Sequence, residues 1–166
     1  IWNNANANFD EIATDAHWGA EKTYDFYDTV MGRKSFDNNN AKILSYVHYS
    51  TNYANAFWNG SYMTYGDGNG STWRPLTSLD VCAHEISHAV TTYSANLVYS
   101  YESGALNESF SDIFGNAIER WARPNKYNWK MGEDFTTSGN GIRDMANPNP
   151  YNHPKYYKGN RWYTGT

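Results

Sequence analysis

Disulfides are excluded first, because Cys82 is the only cysteine in 166 residues and has no second thiol to pair with. It is read as a small core residue, since free cysteine is among the most buried residue types, although its place two residues before His84 leaves a ligand role open. Positive charge is scarce as well: 13 Lys and Arg against 17 Asp and Glu leave a net charge of -4, without the basic footprint that nucleic acid or an anionic bilayer needs. Neither a nucleic-acid nor a membrane partner is expected. There is no run of 18 apolar residues and no basic-then-apolar leader, so the chain is expected neither to span a membrane nor to carry its own export signal. A mature secreted protein would read the same way. Histidine is rare too, yet two of the 5 fall in the five-residue stretch "HEISH".

What the chain has in abundance is aromatic side chains, 17% of residues with 15 Tyr and 7 Trp, while only 18% are charged. At 166 residues it fits one domain of ordinary size, able to bury roughly 70% of the surface its unfolded form exposes, so neither metal nor disulfide is needed merely for folding. The opening "IWNNANANFD" and the closing "RWYTGT" read as the ends of an excised piece, the first eight residues being Asn-rich and irregular.

In "DEIATDAHWGAEKTYDFYDTVMG", Ile12, Ala16, Ala20, Tyr24, Tyr27 and Val30 recur at helical spacing and Gly32 follows as a stop, which predicts a helix. Residues 43–65 instead alternate, with β-branched and aromatic enrichment broken at Asn59-Gly60, which predicts strand, turn, strand. "GDGNGS" supplies the next turn; Asp67 and Asn69 there could suggest a calcium loop, but its three glycines read better as a hairpin connection. From Asp80, expected as an N-cap, the period becomes helical again. After a loop "SYESGAL", a further helix is predicted from about Asn107 to Ala122, and beyond Pro124 the Asn, Gly, Pro and Tyr content predicts mostly loop. The fold class is α+β.

On a helix, His84 and His88 are four residues apart and share one face, so two imidazoles can converge on one ion. Glu85 lies about 100° round, too far for an easy third ligand but close enough to touch water at that ion. Zinc suits imidazole nitrogen, and its catalytic sites use three protein ligands plus water. Glu108 in "NESFSD" is the best third ligand, with Asp112 four residues on able to accept the free N–H of a ligand histidine. Without the histidines, Glu108 and Asp112 would read as acids in a first helical turn, where the macrodipole favours them.

The segments "DAHWGAEKTYDFY", "VHYSTNYANAFWNGSYMTYGDG", "DVCAHEISHAVT" and "ESGALNESFSDIFG" resemble the thermolysin-like family of zinc metalloendopeptidases, a likeness running from about Asp15 to Thr166. The resemblance implies a zincin-like catalytic portion, with a β-hairpin sheet on the active-site helix and a second ligand-bearing helix. Nineteen residues separate His88 from Glu108, the family's spacing to its third zinc ligand, whereas the related aminopeptidase class has one fewer. By the same match Glu85 resembles the general base, Tyr99 the phenolic donor to the tetrahedral intermediate, and Asp112 the carboxylate behind the zinc. "NAFWNG" resembles the substrate-binding edge strand, where the amide of Asn55 and backbone groups of Ala56 and Trp58 would hold an extended peptide. Arg143 resembles the arginine that holds a substrate carbonyl, beside a pocket walled by Trp73, Leu76, Val81 and Ile142 that suits Leu, Ile or Phe on the amine side of the cut. Asp80, Glu119 and Glu133 resemble calcium ligands. Asn128 stands where members with two adjacent ions often have Asp, so one calcium is expected rather than a pair.

Family members extend further at both ends, and the resemblance implies that residues 1–166 are a single catalytic portion without the C-terminal helical domain that bears the oxyanion-stabilising histidine. His17, His48 and His153 do not match that histidine's motif. The expectation is a secreted zinc endopeptidase, with one catalytic zinc and one structural calcium, acting on peptides or proteins and partnered by the remainder of the same protein. Its rivals are a zinc-binding fragment with little or no turnover and a metal-independent fold whose histidines are incidental.

Overall fold

The computed structural model describes residues 10–162, so the readings made for the Asn-rich start and the last four residues lie outside the described part. Helix α1 (Asp10–Thr29) buries Ile12, Ala16, Thr23, Phe26 and Tyr27 along one stripe, and Gly32 follows at φ 64° to end the segment. Val30, expected on the buried face, lies past the helix and is half exposed. A small sheet follows, made of β1 (Ser45–Tyr46), β2 (Ala56–Trp58) and β3 (Met63–Tyr65) in the order β1-β3-β2. The expected strand, turn, strand is β2 and β3: Asn59 caps the turn by accepting from the amides of Ser61 and Tyr62. Ahead of β2 the strand is interrupted, because His48, Ser50 and Asn52 take left-handed backbone. The "GDGNGS" turn folds the chain back on itself, with the Asn69 amide donating to the Trp73 carbonyl and the Leu76 amide to the Gly66 carbonyl, but the next element is a helix rather than a strand. Asn69 gathers the amides of Ser71, Thr72 and Trp73, and the chain leaves towards α2 (Leu79–Thr92), while Asp67 pairs with His48 at 2.9 Å.

Helix α2 is almost wholly buried and packs on α1, on β2 and chiefly on α3 (Tyr101–Ala122). Its N-cap is Ser78, not Asp80; Asp80 sits inside the first turn, accepting from Ser78 Oγ and the Val81 amide, where a carboxylate meets the positive end of the helix. Ile86 and Ile118 are at most 1% exposed, and burying each such side chain is worth roughly 1.5–3 kcal/mol. Two close approaches set the helix spacing. A Cβ on Gly19 would lie 2.6 Å from that of Cys82, which is a buried core residue, and one on Gly115 would lie 2.7 Å from the Asp80 carbonyl oxygen. Larger residues at either position would force α2 away from its neighbours and pull apart the side chains described next.

Helix α3 starts six residues earlier than expected: "SYESGAL" is its cap and first turns, with the Gly104 amide donating to the carbonyl of the N-cap Ser100. Gly104 inside the helix costs only about 1 kcal/mol against alanine, and tertiary packing outweighs it. Glu108 is therefore no first-turn acid; Glu102 holds that place. The remainder is mostly loop, as expected, stitched by β4 (Lys130–Met131) paired with β5 (Arg143–Asp144) and a 3-10 turn at Asn149–Tyr151. Among the described residues no helix is long and apolar enough to cross a membrane.

Candidate metal centre

His84 Nε2 and His88 Nε2 stand 2.9 Å apart, and the Glu108 carboxylate closes the triangle with one oxygen 3.4 Å from each. What fixes the rings lies behind them. His84 Nδ1 is 2.8 Å from Asp112 Oδ1, and His88 Nδ1 is 2.7 Å from Asn107 Oδ1, with Ser111 Oγ at 3.0 Å. Asp112 and the Asn107 oxygen only accept, so each Nδ1 donates and each neutral ring turns a lone pair inward on Nε2. Two lone pairs at 2.9 Å beside a carboxylate repel unless a cation lies among them. That donor set, two imidazoles and one carboxylate, fits zinc.

Electrostatics also call for positive charge between the rings, which a proton on His84 supplies when no cation is bound. Burial opposes a charged His84, but Asp112 and Glu108 outweigh it and raise the ring to about 9. Burial pushes Glu108 up, and the two imidazoles overcome this and hold it well below the usual carboxylate range. Asp112 is likewise lowered against its burial, by His84 and by Arg143, whose Nε and Nη2 grip both its oxygens at 2.6 and 2.7 Å. Arg143 is thus no free surface residue; it locks the carboxylate that orients His84.

The cluster lines a cleft of about 540 Å³ together with Glu85, Tyr99 and Arg143. Glu85 is 6% exposed, and burial raises its carboxyl despite the two histidines, while the Trp58 backbone hydrogen-bonds to it. Tyr99 donates to Glu108; burial and that carboxylate push its phenol up and keep it protonated. Strand β2 forms the opposite rim with Asn55, Ala56 and Trp58. Asn55 and Asn59 bond across to Gly66 and Tyr62, so the two-residue alternation of an antiparallel pair turns the peptide groups of Ala56 and Trp58 to the strand's outer edge. Leu76, Val81 and Ile142 line the apolar end as expected, but Trp73 does not: it stands one layer back, edge-on to Phe135, which takes the wall. Sequence reasoning missed Phe135 and Asn107. Asn107 adjoins Glu108 and lies four residues before Ser111, but nothing in the sequence pairs it with His88, nineteen residues back.

A second group, Asp80, Glu119 and Glu133, brings three carboxylates within 4.8 Å of one another. Burial raises all three, and each lies among other carboxylates, Glu119 reaching about 8. Buried oxygens of Glu119 and Glu133 have no hydrogen-bond partner among the described residues, while Asn128 spends its amide on the other Glu133 oxygen at 2.7 Å. An all-oxygen group of this kind fits a hard cation.

The family description "Thermolysin metallopeptidase, catalytic domain" matches residues 1–92. The chain belongs to the thermolysin metallopeptidase family. The description "Thermolysin metallopeptidase, alpha-helical domain" matches residues 95–165, so the join between the two falls in the turn between α2 and α3, the pair whose packing builds the metal centre. The thermostable neutral protease NprT of Geobacillus stearothermophilus is 49% identical over 99% of this chain and 30% of its own length. A bacillolysin of Brevibacillus brevis is 52% identical over 95% of the chain and 29% of its own length. Among solved structures, the precursor of protealysin, a metalloproteinase from Serratia proteamaculans, superposes with TM-score 0.79 at 36% identity, over 88% of this chain and 48% of that one. The chain therefore spans about 30% of the length of the curated thermolysin relatives it matches.

Proposed function

We propose that this chain carries the catalytic centre of a zinc endopeptidase that acts outside the cell and cuts peptide bonds on the amine side of apolar residues. The carrying observation is the convergence of His84 Nε2, His88 Nε2 and both Glu108 oxygens within 3.4 Å, with the Glu85 carboxyl buried beside them. Zinc held by these three residues would supply a Lewis acid that polarises a carbonyl and makes water more acidic. Glu85, whose affinity for a proton is raised by burial, takes the proton of the attacking water and hands it to the leaving amine nitrogen. Tyr99 offers its phenolic proton to the carbonyl oxygen as negative charge develops there. The substrate lies extended along β2, bonded through Ala56, Trp58 and the Asn55 amide, with Arg143 reaching a substrate carbonyl from the far wall. Asp80, Glu119 and Glu133 would hold one calcium, which would brace α2 against α3 and the β4 loop. The extracellular location rests on the family resemblance.

Elemental analysis and hydrolysis of a blocked dipeptide amide, with and without a chelator, test this together. One zinc per chain and chelator-sensitive cleavage are expected. Zinc without cleavage would favour the zinc-binding fragment. Cleavage that survives complete metal removal would end the proposal.

A further inference from the structure

The geometry points to Phe135 as the residue that sets the depth of the side-chain pocket, restricting cleavage to bonds preceding short aliphatic residues; this rests on the peptidase reading above. The apolar end of the cleft is bounded by Leu76, Val81, Ile142 and Phe135. A second cavity of about 440 Å³ lies beside it, bordered by Asp15 and Trp18 of α1, by Arg74 and Leu79, and by Arg123. Among the described residues Phe135 alone belongs to both linings. Phe135 is a border that the two spaces share.

That border is firmly held. The ring is 2% exposed and lies edge-on to Trp73 with centroids 5.1 Å apart. Gly132 presses so close that a Cβ there would come within 2.3 Å of the ring, and the Phe135 carbonyl is tied to the Arg74 amide at 2.9 Å. The Gly132 amide in turn donates to Asp80, one residue before the pocket residue Val81, so floor and wall are fixed to each other. With Trp73 behind and Gly132 alongside, the ring cannot swing away from an incoming aromatic side chain. A single methylene of misfit in an apolar pocket changes specificity by roughly 10- to 200-fold, so a benzyl group meeting this floor should be discriminated at least as strongly.

The test uses four blocked glycyl-Xaa amides, with Xaa as Ala, Val, Leu or Phe. kcat/KM is measured for the parent, Phe135→Val and Phe135→Ala, and Kd for the same peptides by calorimetry on zinc-loaded Glu85→Gln, alone and combined with each Phe135 variant. Zinc content and melting temperature establish that each variant is folded. The parent should cut before Val and Leu at least tenfold better than before Phe. Phe135→Val should bring the three level, and Phe135→Ala, by removing more of that border, should favour Phe. A parent that takes Phe as well as Leu overturns the inference without any variant, as does an order that neither variant changes. If no bond is cut but the Kd order follows this pattern, the hydrolytic reading fails and the pocket assignment stands. If neither cleavage nor binding is detected with any of the four peptides, both fall.

Discussion

Asp80 and His84 stand about one turn apart on α2, and Glu108 and Glu119 about three turns apart on α3, so one pair of helices carries both side-chain clusters. The cleft-facing cluster mixes imidazoles with a carboxylate, and there opposite charges hold the carboxyls of Glu108 and Asp112 down. The other contains only carboxylates among its candidate ligands, and burial with like charge pushes Asp80, Glu119 and Glu133 up. Helix packing decides which side chains meet; the ligand atoms decide what would suit them, zinc for imidazole nitrogen and a hard cation for oxygen alone. The supports differ too. Each histidine has its Nδ1 held from behind, whereas Glu119 and Glu133 each keep a buried oxygen with no partner among the described residues.

The largest effect that would sharpen this contrast is on chemistry without metal loss. Glu85→Gln keeps the shape of the cleft and deletes the base, so turnover should fall by on the order of 10² to 10⁴ with zinc content unchanged. Turnover within tenfold of the parent would remove Glu85 from the mechanism. Next comes the zinc site's backing: Asp112→Asn and Asn107→Ala should each weaken zinc by roughly 10- to 100-fold in competition with a chromophoric chelator. Neither should alter the response of the melting temperature to calcium. If both left zinc affinity unchanged, the backing hydrogen bonds would not be what prepares the site.

The carboxylate cluster should show itself in stability. Calcium at a hundredfold its Kd contributes about 2.7 kcal/mol, which at roughly 2–4 °C per kcal/mol raises the melting temperature by roughly 5–11 °C. In calcium-free buffer the pH dependence has a definite sign. A carboxyl such as Glu119, raised from 4.5 to about 8 in the folded chain, binds more protons folded than unfolded between those values, so stability is present below about 4.5 and is lost as pH rises towards 8. Calcium should abolish that decline. Melting temperatures that are equal in both buffers and flat across this range would leave the two clusters without the difference drawn between them.

How much of this was legible in the sequence follows from how local each signal is. His84 and His88 share a face because four residues make about one turn, so their pairing needed only the helix, and Glu108 was read as their partner from its place in "NESFSD" before the family spacing supported it. Asp112 was legible for the same reason, one turn beyond Glu108. Asn107 was not, because which residue backs His88 depends on how α3 lies across α2, and that depends on Gly115. Helix α3 was started late because "SYESGAL" was read as a loop, while the packing that makes it helical is long-range. Trp73 and Phe135 exchanged roles because an apolar residue near a pocket can be its wall or the support of its wall. Only the cleft lining, which includes Phe135 and not Trp73, tells them apart.

The smallest predicted effect tests whether charge alone tunes the carboxylate cluster. Asn128 now donates to Glu133, and its own backbone is held by Asn116, so the side chain is fixed at the edge of the group. Asn128→Asp would replace that donor with a further negative oxygen. Without calcium the change removes one hydrogen bond, worth about 0.5–1.5 kcal/mol, and adds repulsion, so the melting temperature should fall by a few degrees. With calcium the added oxygen becomes a ligand, and affinity should rise with ligand charge. The variant should therefore be less stable than the parent in calcium-free buffer and at least as stable in saturating calcium, while zinc affinity stays where it was. A loss of the same size in both buffers would mean that Asn128 is only a structural hydrogen-bond donor, and that the cluster's hold on a cation is set by Asp80, Glu119 and Glu133 alone.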